Sequence, residues 1–499
     1  MFLCLGFLLA ADTILVISPR TLVYDAPTNE ALLNGEREII AIDKTKSGQE
    51  LYVGFEAKIG SGNDGDGAKL FHSTDRGQTW IDMTGIGWAS QTKRHCSLSM
   101  DGRGRAYMTW NLFSSTFASV IYVTRNHDDT SVEIADRSSD FSPSVNRFYP
   151  TVAVSMSGET IYNAWIDTDP NYPNWVYVDY SFAPPYQPPG NWSNFNTTGI
   201  HDFDVVAGNS RRPVMRMDSQ GYIYLQYINN SNARIYLLRP QTPYPTEVTN
   251  WLTGMRAVTP VGYTTEIAST TSGSHTSMEI LGSGASTRMY FAWASTDSVI
   301  WFRKSTDGGN TFVSDPVRVS DPGRKGIWPQ LDFSPSGDTV MIVWRGWGPL
   351  GGLAEIYFDY SHDGGTTWHT DTPITGTPEE DDAMPHIAVI DSCAYIVYNN
   401  NSWRSDIWMI RVCLDTLKPT YERVDEGKPK EGFVVTGQKG FLAVMGNLHG
   451  PLEIRIYDIC GNLVAQESLD FLAGQRRFWL DTGVYFVRIN GKSERAVVY

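Results

Sequence analysis

The sequence has few positive charges, and it does not cluster them. Of its 499 residues, 40 are Lys or Arg and 55 are Asp or Glu, so the formal net charge is −15. No run of Lys or Arg interrupts this acidic composition. Because a protein that binds nucleic acid neutralises phosphates with clustered positive charge, we expect no nucleic acid among the partners.

Cysteine is scarce as well, with 5 residues in the whole chain. The Cys and His residues match no metal-binding spacing, and the sequence therefore predicts neither a metal nor a cofactor. Cys393 and Cys413 flank NNNSWRSD (399–406), which is typical of a hairpin turn and would place the two thiols opposite each other. This pattern is equally consistent with a disulfide and with two buried thiols.

Long hydrophobic runs are absent after the N-terminus. Residues 1–11 form an apolar stretch that ends in Ala10 and Ala11, which is typical of a secretory signal peptide. No Lys or Arg precedes this stretch, so a buried strand is the alternative. No later run approaches the ~20 residues that a membrane-spanning helix needs. We expect no membrane span and an extracytoplasmic protein, secreted or attached to the outer surface.

What the sequence does have is a repeat that is rich in aromatic residues and turns. Seven times, an alternation of apolar and polar residues leads into a Gly, Ser or Asp turn and then into a second strand that closes on an aromatic residue. Successive closing aromatics are 55, 55, 62, 66, 51 and 54 residues apart. They are Phe55, Trp110, Trp165, Tyr227, Trp293, Trp344 and Tyr398.

This repeat predicts an all-β protein that is built as a ring. The alternation is strand periodicity, and the spacing leaves room for four strands in each unit. One unit cannot bury both of its faces, whereas a ring of seven units buries them and protects most sheet edges, as in a β-propeller. We therefore predict a seven-bladed β-propeller over residues 12–421, with six blades as the alternative. Residues 12–34 are expected to lend an outer strand that closes the ring.

Three of the outer turns share a sharper motif: STDRGQTW (73–80), STDGGNTF (305–312) and SHDGGTTW (361–368). In each turn the Asp can accept backbone N–H groups, the Gly two residues after it permits a positive φ, and the final aromatic can pack into the sheet. The predicted structural residues are Asp75, Gly77, Trp80, Asp307, Gly309, Phe312, Asp363, Gly365 and Trp368.

The motif resembles the Asp-box, or BNR, repeat of sialidase-like β-propellers, and the resemblance covers roughly residues 35–420. In that family the Asp box is a structural turn on the face away from the ligand, so the resemblance implies no catalytic role for its Asp residues. The family's enzymes share an arginine triad, a Tyr nucleophile activated by Glu, and an Asp acid/base. The segment that usually carries the first arginine is not recognisable here, and no catalytic residue is assigned.

A ligand site is expected on the face opposite the Asp boxes, where the chain enters the first strand of each unit. The residues that precede these strands are Arg37, His95, Tyr149, Arg212, His275, Trp328 and Met384. Convergent guanidinium groups at such a mouth would suit a carboxylate or sulfate; the alternative is a set of unrelated, solvated loop cations. The ligand-binding candidates are Arg37, Arg94, Arg212, His275, Arg324, Trp328, Arg345 and Trp347.

The composition changes near residue 421, where a charged stretch rich in Lys, Pro and Gly predicts a linker over residues 422–432. Short alternating strands over residues 433–499 predict a small Ig-like β-sandwich. Within it, IRIYDICGNLV (454–464) and TGVYFVRINGKSERAVVY (482–499) resemble the C-terminal sorting domain of the Por, or type IX, secretion system. The resemblance implies export through outer-membrane secretion machinery; an accessory Ig-like module is the alternative.

Together these patterns predict a secreted or cell-surface, sialidase-like propeller that binds a glycan or a surface protein, with an anionic ligand as the expectation. The alternative function is a glycoside hydrolase of the exo-sialidase type that acts on anionic glycans. The unassigned catalytic residues favour binding over hydrolysis.

Overall fold

A computed structural model of the chain describes residues 13–25, 40–44, 50–58, 66–83, 93–102, 104–112, 119–124, 132–136, 147–167, 175–181, 210–229, 231–239, 241–245, 256–260, 276–348, 352–376, 380–400, 406–416, 433–438, 441–458, 463–479, 483–489 and 492–498. The chain forms two compact units, Met1–Leu417 and Lys418–Tyr499. The predicted signal peptide (1–11) and linker (422–432) lie outside the described residues.

The first unit is built from strands, which confirms the all-β prediction. The described part of it contains no α-helix, and a single 3₁₀ turn spans Gly284–Ser286. Its first strands are β1 (Thr13–Ile17) and β2 (Thr21–Tyr24). Sheet 1 has β3 (Ile40–Lys44), β4 (Leu51–Lys58), β5 (Asp66–Ser73) and β6 (Ile81–Asp82); sheet 2 has β7 (Lys93–Met100), β8 (Ala106–Leu112), β9 (Ser119–Thr124) and β10 (Val132–Asp136).

Five further antiparallel sheets follow in chain order. Sheet 3 has β11 (Arg147–Val154), β12 (Ile161–Asp167) and β13 (Trp175–Ser181); sheet 4 has β14 (Ser210–Met217), β15 (Ile223–Asn229), β16 (Arg234–Leu238) and β17 (Arg256–Ala257). Sheet 5 has β18 (Thr276–Leu281), β19 (Arg288–Ala294), β20 (Ile300–Ser305) and β21 (Val313–Arg318). Sheet 6 has β22 (Lys325–Phe333), β23 (Val340–Trp347), β24 (Glu355–Ser361) and β25 (Thr372–Pro373); sheet 7 has β26 (Asp382–Ile390), β27 (Cys393–Asn400) and β28 (Ile407–Thr416).

The sheets follow one another around a closed cycle. The first strand of each sheet contacts the first strand of the next, from β3 through β7, β11, β14, β18 and β22 to β26, and β26 contacts β3 again. Apolar side chains fill the spaces between neighbouring sheets, as Val343 and Phe358 of sheet 6 do against Ile396 and Val412 of sheet 7. This arrangement is a β-propeller, so the propeller prediction is confirmed.

Strands from the N-terminus close the ring. Both β1 and β2 pair with β28, which makes them the outer strands of sheet 7, as predicted for residues 12–34. On the other side of β28, Cys413 lies directly opposite Cys393 of β27 and is joined to it by a disulfide. The sequence left this bond open, and the strand register settles it. The last blade is therefore held by chain segments from both ends of the unit.

The turns at 73–80, 305–312 and 361–368 share a pattern of hydrogen bonds to the Asp carboxylate. In the turn of sheet 6, Asp363 Oδ1 accepts the backbone N–H groups of Thr366 and Thr367, both at 2.8 Å, and the Ser361 hydroxyl at 2.7 Å. Burial alone would raise the pKa of Asp363, but these bonds lower it to about 2. The turns at Asp75 and Asp307 repeat the pattern, and the pKa of each carboxyl is lowered by the same kind of bond against the same opposing effect of burial.

The glycine two residues after the Asp in each of these turns fits tightly against the preceding sheet. A Cβ at Gly365 would lie 2.1 Å from Phe302 of sheet 5, and one at Gly309 would lie 2.3 Å from Leu237 of sheet 4. At Gly77 the clash would be with Met409 of sheet 7, at 2.3 Å, across the point where the ring closes. The Asp boxes therefore seal contacts between neighbouring sheets.

We expect Gly365→Ala to lower the free energy of unfolding by about 2–4 kcal/mol. The new Cβ combines a left-handed backbone, at φ +85°, with the clash against Phe302. Gly323→Ala is the matched control, because Gly323 has φ +88° but nothing within 4 Å of the added Cβ. Urea denaturation of both variants measures the difference. Equal losses in the two variants would show that the close approach to Phe302 does not exist.

The second unit is a single antiparallel sheet in its described residues. Its strands are β29 (Phe433–Gln438), β30 (Phe441–Asp458), β31 (Leu463–Trp479), β32 (Gly483–Ile489) and β33 (Lys492–Val498). The long β30 pairs with β31 along one side, while β29 and β32 pair with opposite halves of its other side. All five strands are thereby hydrogen-bonded together, and the predicted Ig-like sandwich of two sheets is not confirmed.

Candidate functional site

A cavity, called the channel below, lies in the first unit where the first strands of its sheets meet. Its volume is about 660 Å³, which lies within the range of typical small-ligand sites. All seven sheets contribute to its wall. Polar lining residues from sheets 1 to 7 are, in order, Asp43, Ser99, Thr151, Arg216, Glu279, Asp332 and His386.

Three consecutive sheets have a charged residue at the same position of the innermost strand. Sheets 4, 5 and 6 have Arg216, Glu279 and Asp332 at one shared position of their first strands. At the same position, sheets 2, 3 and 7 have Ser99, Ala153 and Ala388. This position is therefore charged in three consecutive sheets and small in sheets 2, 3 and 7.

An ion pair joins two neighbouring sheets at mid-channel. Arg216 Nε donates to both carboxylate oxygens of Glu279 at 3.0 Å, Nη2 donates to Oε1, and Nη1 donates to the Met215 carbonyl at 2.9 Å. Burial opposes the charge, but Glu279, with Asp43 and Asp332 farther away, raises the pKa of Arg216. Every nitrogen of this guanidinium already donates to a protein acceptor.

Other lining residues tie adjacent sheets together through backbone N–H groups. Asp332 accepts the N–H of Phe333 at 2.8 Å and that of Val389, in the next sheet, at 2.6 Å. The Thr151 hydroxyl accepts the N–H of Met215 at 3.2 Å, and the Ser277 hydroxyl accepts that of Leu331 at 3.1 Å. Because these bonds fix side-chain positions, the wall of the channel is held rigidly before any ligand arrives.

The first strands bend where they reach the channel. Their pairing shifts register after Phe148, Arg211, Ile327 and Ala383. The next residue has a positive φ and precedes a proline in each case; these residues are Tyr149 (54°), Arg212 (51°), Trp328 (58°) and Met384 (52°). Such β-bulges re-aim side chains. Four of the seven positions that the sequence singled out ahead of the first strands are therefore bulge residues.

Two predicted binding arginines are engaged by protein groups. Arg345 Nη2 donates to both oxygens of Asp381, at 2.8 and 2.7 Å. Its guanidinium lies 5.2 Å from the ring of Trp328 and 5.1 Å from that of Trp347. Arg324 donates to the Tyr357 hydroxyl at 2.9 Å. Arg345 and Trp347 both lie within β23, the second strand of sheet 6.

Most of the described members of the predicted mouth do not line the channel, and the predicted ligand role of these residues stays a prediction. Arg212 is 1% exposed and lies 4.5 Å from the Tyr149 ring, because the bulge turns it into the protein interior. Of Arg212, Arg324, Trp328, Arg345 and Trp347, only Trp328 lines the channel. Arg37, His275 and the side chain of Arg94 lie outside the described part of the structure.

The charged groups at mid-channel were missed by sequence reasoning, although a signal for them exists. In PVMRMD, TSMEIL and PQLDFS, consecutive repeats place a charged residue at the same position between two apolar ones. A charge inside the innermost strand of a ring has to face the axis, because the sheet faces are covered by neighbours. Arg216, Glu279 and Asp332 meet this condition.

The comparisons with known proteins concern the fold alone. No family model and no curated protein matches the chain. An α-L-arabinanase from Penicillium chrysogenum, complexed with arabinobiose, aligns at 10% identity with a TM-score of 0.43, covering 81% of this chain and 99% of its own. A mutant of the NanB sialidase from Streptococcus pneumoniae aligns at 10% identity with a TM-score of 0.43 (80% and 71%). A Trypanosoma rangeli sialidase mutant displaying trans-sialidase activity aligns at 8% identity with a TM-score of 0.42 (98% and 89%).

No helix among the described residues is long and apolar enough to cross a membrane.

Proposed function

We propose that the first unit is a seven-bladed, sialidase-like propeller that binds a glycan, free or on a surface protein, in its axial channel. The observation that supports this proposal is the channel itself, a cavity of about 660 Å³ to which every sheet contributes. A pocket that combines apolar walls with a few fixed polar groups is the usual form of a small-ligand site.

The lining suits hydroxyl-rich ligands. Ser97, Ser99 and Gln330 offer neutral groups that both donate and accept, and Glu279 adds a carboxylate acceptor. Apolar side chains such as Met217 and Val154 lie between them and can cover the C–H surfaces of a sugar ring. Mixed walls of this kind match the alternating polar and apolar surface of a saccharide.

Binding to a glycan panel tests this proposal. We expect the full chain to retain a subset of the glycans, and we expect Glu279→Gln to weaken that binding at least tenfold, because the variant keeps the shape of the side chain but loses its charge. Glu159→Gln is the matched control, since Glu159 is exposed in the turn after β11. Retention of no glycan, or equal binding by both variants, would overturn the proposal.

Hydrolysis is the second candidate function. It is favoured by one observation: Glu279 and Asp332, on adjacent sheets, both face the channel, and glycoside hydrolysis uses two carboxyl groups that flank the scissile bond. A fluorogenic sialoside and related glycosides, incubated with the full chain, decide between the candidates. Turnover that Glu279→Gln abolishes would establish the enzyme, whereas binding without turnover on any substrate supports a binding module.

We further propose that the protein is secreted or attached to the cell surface, and that residues 433–499 direct its export through the type IX machinery. The terminal pairing of β32 with β33 and of β32 with β30 places the resembling segments side by side in one sheet. Appending residues 418–499 to a reporter with a signal peptide, in a bacterium that has this machinery, should move the reporter to the outer surface. A reporter that stays in the periplasm would contradict the sorting role.

A further inference from the structure

The charges that line the channel are mainly negative. Its described lining contains five carboxylates and one guanidinium. Asp43, Glu279 and Asp332 lie around Arg216, and Asp218 and Asp391 lie among the other lining residues. The channel therefore differs in sign from the positively charged mouth that the sequence predicted.

The single guanidinium cannot easily receive an anion. Arg216 donates through Nε and Nη2 to Glu279 and through Nη1 to the Met215 carbonyl. An incoming carboxylate that took one of the remaining N–H groups of Nη1 or Nη2 would lie close to Glu279, whose negative charge opposes its binding. The arginine therefore holds Glu279 in place for a ligand and does not itself form an anion site.

The size of the resulting preference follows from Coulomb's law. At an effective dielectric constant of ~20, one unit of net negative charge about 6 Å from a ligand carboxylate disfavours its binding roughly 100-fold. Hydroxyl groups meet no such penalty, because they can donate to Glu279 and to the hydroxyl and amide oxygens of Ser99 and Gln330. The same wall that repels an acid sugar can bind a neutral one.

We infer that the channel selects uncharged, hydroxyl-rich sugar units and excludes sugars that carry a carboxylate. This inference rests on the proposed function of glycan binding in the channel. It names the ligand class and reverses the expectation of an anionic ligand that the sequence raised.

Matched pairs of acidic oligosaccharides and their methyl esters test the inference, because each pair differs only in charge. The uronic acid and sialic acid pairs are titrated against the full chain by calorimetry, beside neutral oligosaccharides. We expect the ester or neutral member to bind at least 30-fold more tightly than the acid. Raising the salt concentration should reduce the ratio between the affinities of the ester and the acid. The acid should bind more tightly at high salt, since salt screens repulsion.

Glu279→Gln should also reduce the ratio between the affinities of the ester and the acid, because it improves binding of the acid relative to the ester. Glu159→Gln should leave this ratio unchanged. Equal or tighter binding of the acids would overturn the inference and leave the glycan-binding proposal intact. Failure of every acid, ester and neutral glycan to bind would overturn the proposed function and, with it, the inference.

Discussion

Replacing Asp218 with Ala is expected to lower the free energy of unfolding of the first unit by about 3–5 kcal/mol. Asp218 is 4% exposed and accepts four hydrogen bonds. Its Oδ1 accepts the N–H groups of Gln220 at 2.9 Å and Tyr222 at 3.0 Å; its Oδ2 accepts the N–H of Gly284 at 2.7 Å and the Tyr224 hydroxyl at 3.2 Å. Removing the carboxylate leaves the buried N–H of Gly284 without this acceptor and also removes the bonds to the partly buried N–H groups of Gln220 and Tyr222.

The bond to Gly284 crosses from sheet 4 to sheet 5, so the variant weakens a contact between neighbouring blades as well as one turn. Urea denaturation followed by tryptophan fluorescence measures the loss. Asp338→Ala is the control: Asp338 is 70% exposed, and its ion pair with Arg288 spans 3.6 Å, so it should cost less than about 1 kcal/mol. A comparable loss in the two variants would contradict this account of blade contacts.

Asp359→Asn is expected to stabilise the protein, and the gain should grow with pH. Asp359 is 0% exposed, and burial, with the charges of Asp371 and Asp321, raises its pKa to about 9. In the unfolded chain this carboxyl has its ordinary pKa of 3.8 and loses its proton above that pH. The folded state keeps the proton up to about pH 9. The contribution of Asp359 to the free energy of unfolding is fully present below about pH 4. It falls by up to about 1.4 kcal/mol per pH unit as the pH rises towards 9.

Asparagine carries no proton to lose, so the variant should match the native chain near pH 4 and exceed its free energy of unfolding by at least about 2 kcal/mol at pH 8. Thermal melts between pH 4 and pH 9 measure the difference. Asp363→Asn provides the opposite case, because the pKa of Asp363 is lowered to about 2 and its contribution disappears only as the pH falls through that value. A pH-independent effect of Asp359→Asn would show that this carboxyl is ionised in the folded state.

The ring of sheets could be predicted because the pattern that specifies each sheet lies within one stretch of the sequence. Each repeat carries its own strand alternation, turn and closing aromatic, and Trp293 and Trp344 are fully buried as such residues should be. The closure by N-terminal strands followed from the residues that precede the first repeat. The Cys393–Cys413 bond depended on strand register, which a hairpin pattern can shift by one residue, and only the structure settled it.

The site could be predicted only in its general position. A positive charge beside a strand entry looks solvent-exposed in the sequence, but the positive φ of Arg212 turns this side chain into the interior, and Arg345 meets Asp381 from the following sheet. Ion pairs between distant segments determine which charged side chains remain available to a ligand. The strand periodicity of the sequence carries no information about these ion pairs. In the described residues of the second unit, the long β30 joins all five strands into one hydrogen-bonded sheet, and the two-sheet sandwich stays a prediction.

The measurement that tests the central claim most directly is glycan binding by a variant whose channel is filled. Ser99 lines the channel at the position where other sheets have Ala, and Ser99→Trp would occupy the space beside it. Glu159→Trp adds the same side chain to an exposed turn as a control. We predict that the native chain and the control bind the same glycans with the same affinity and that Ser99→Trp, while folded, binds them at least 30-fold more weakly. Undiminished binding by the filled channel would contradict the account.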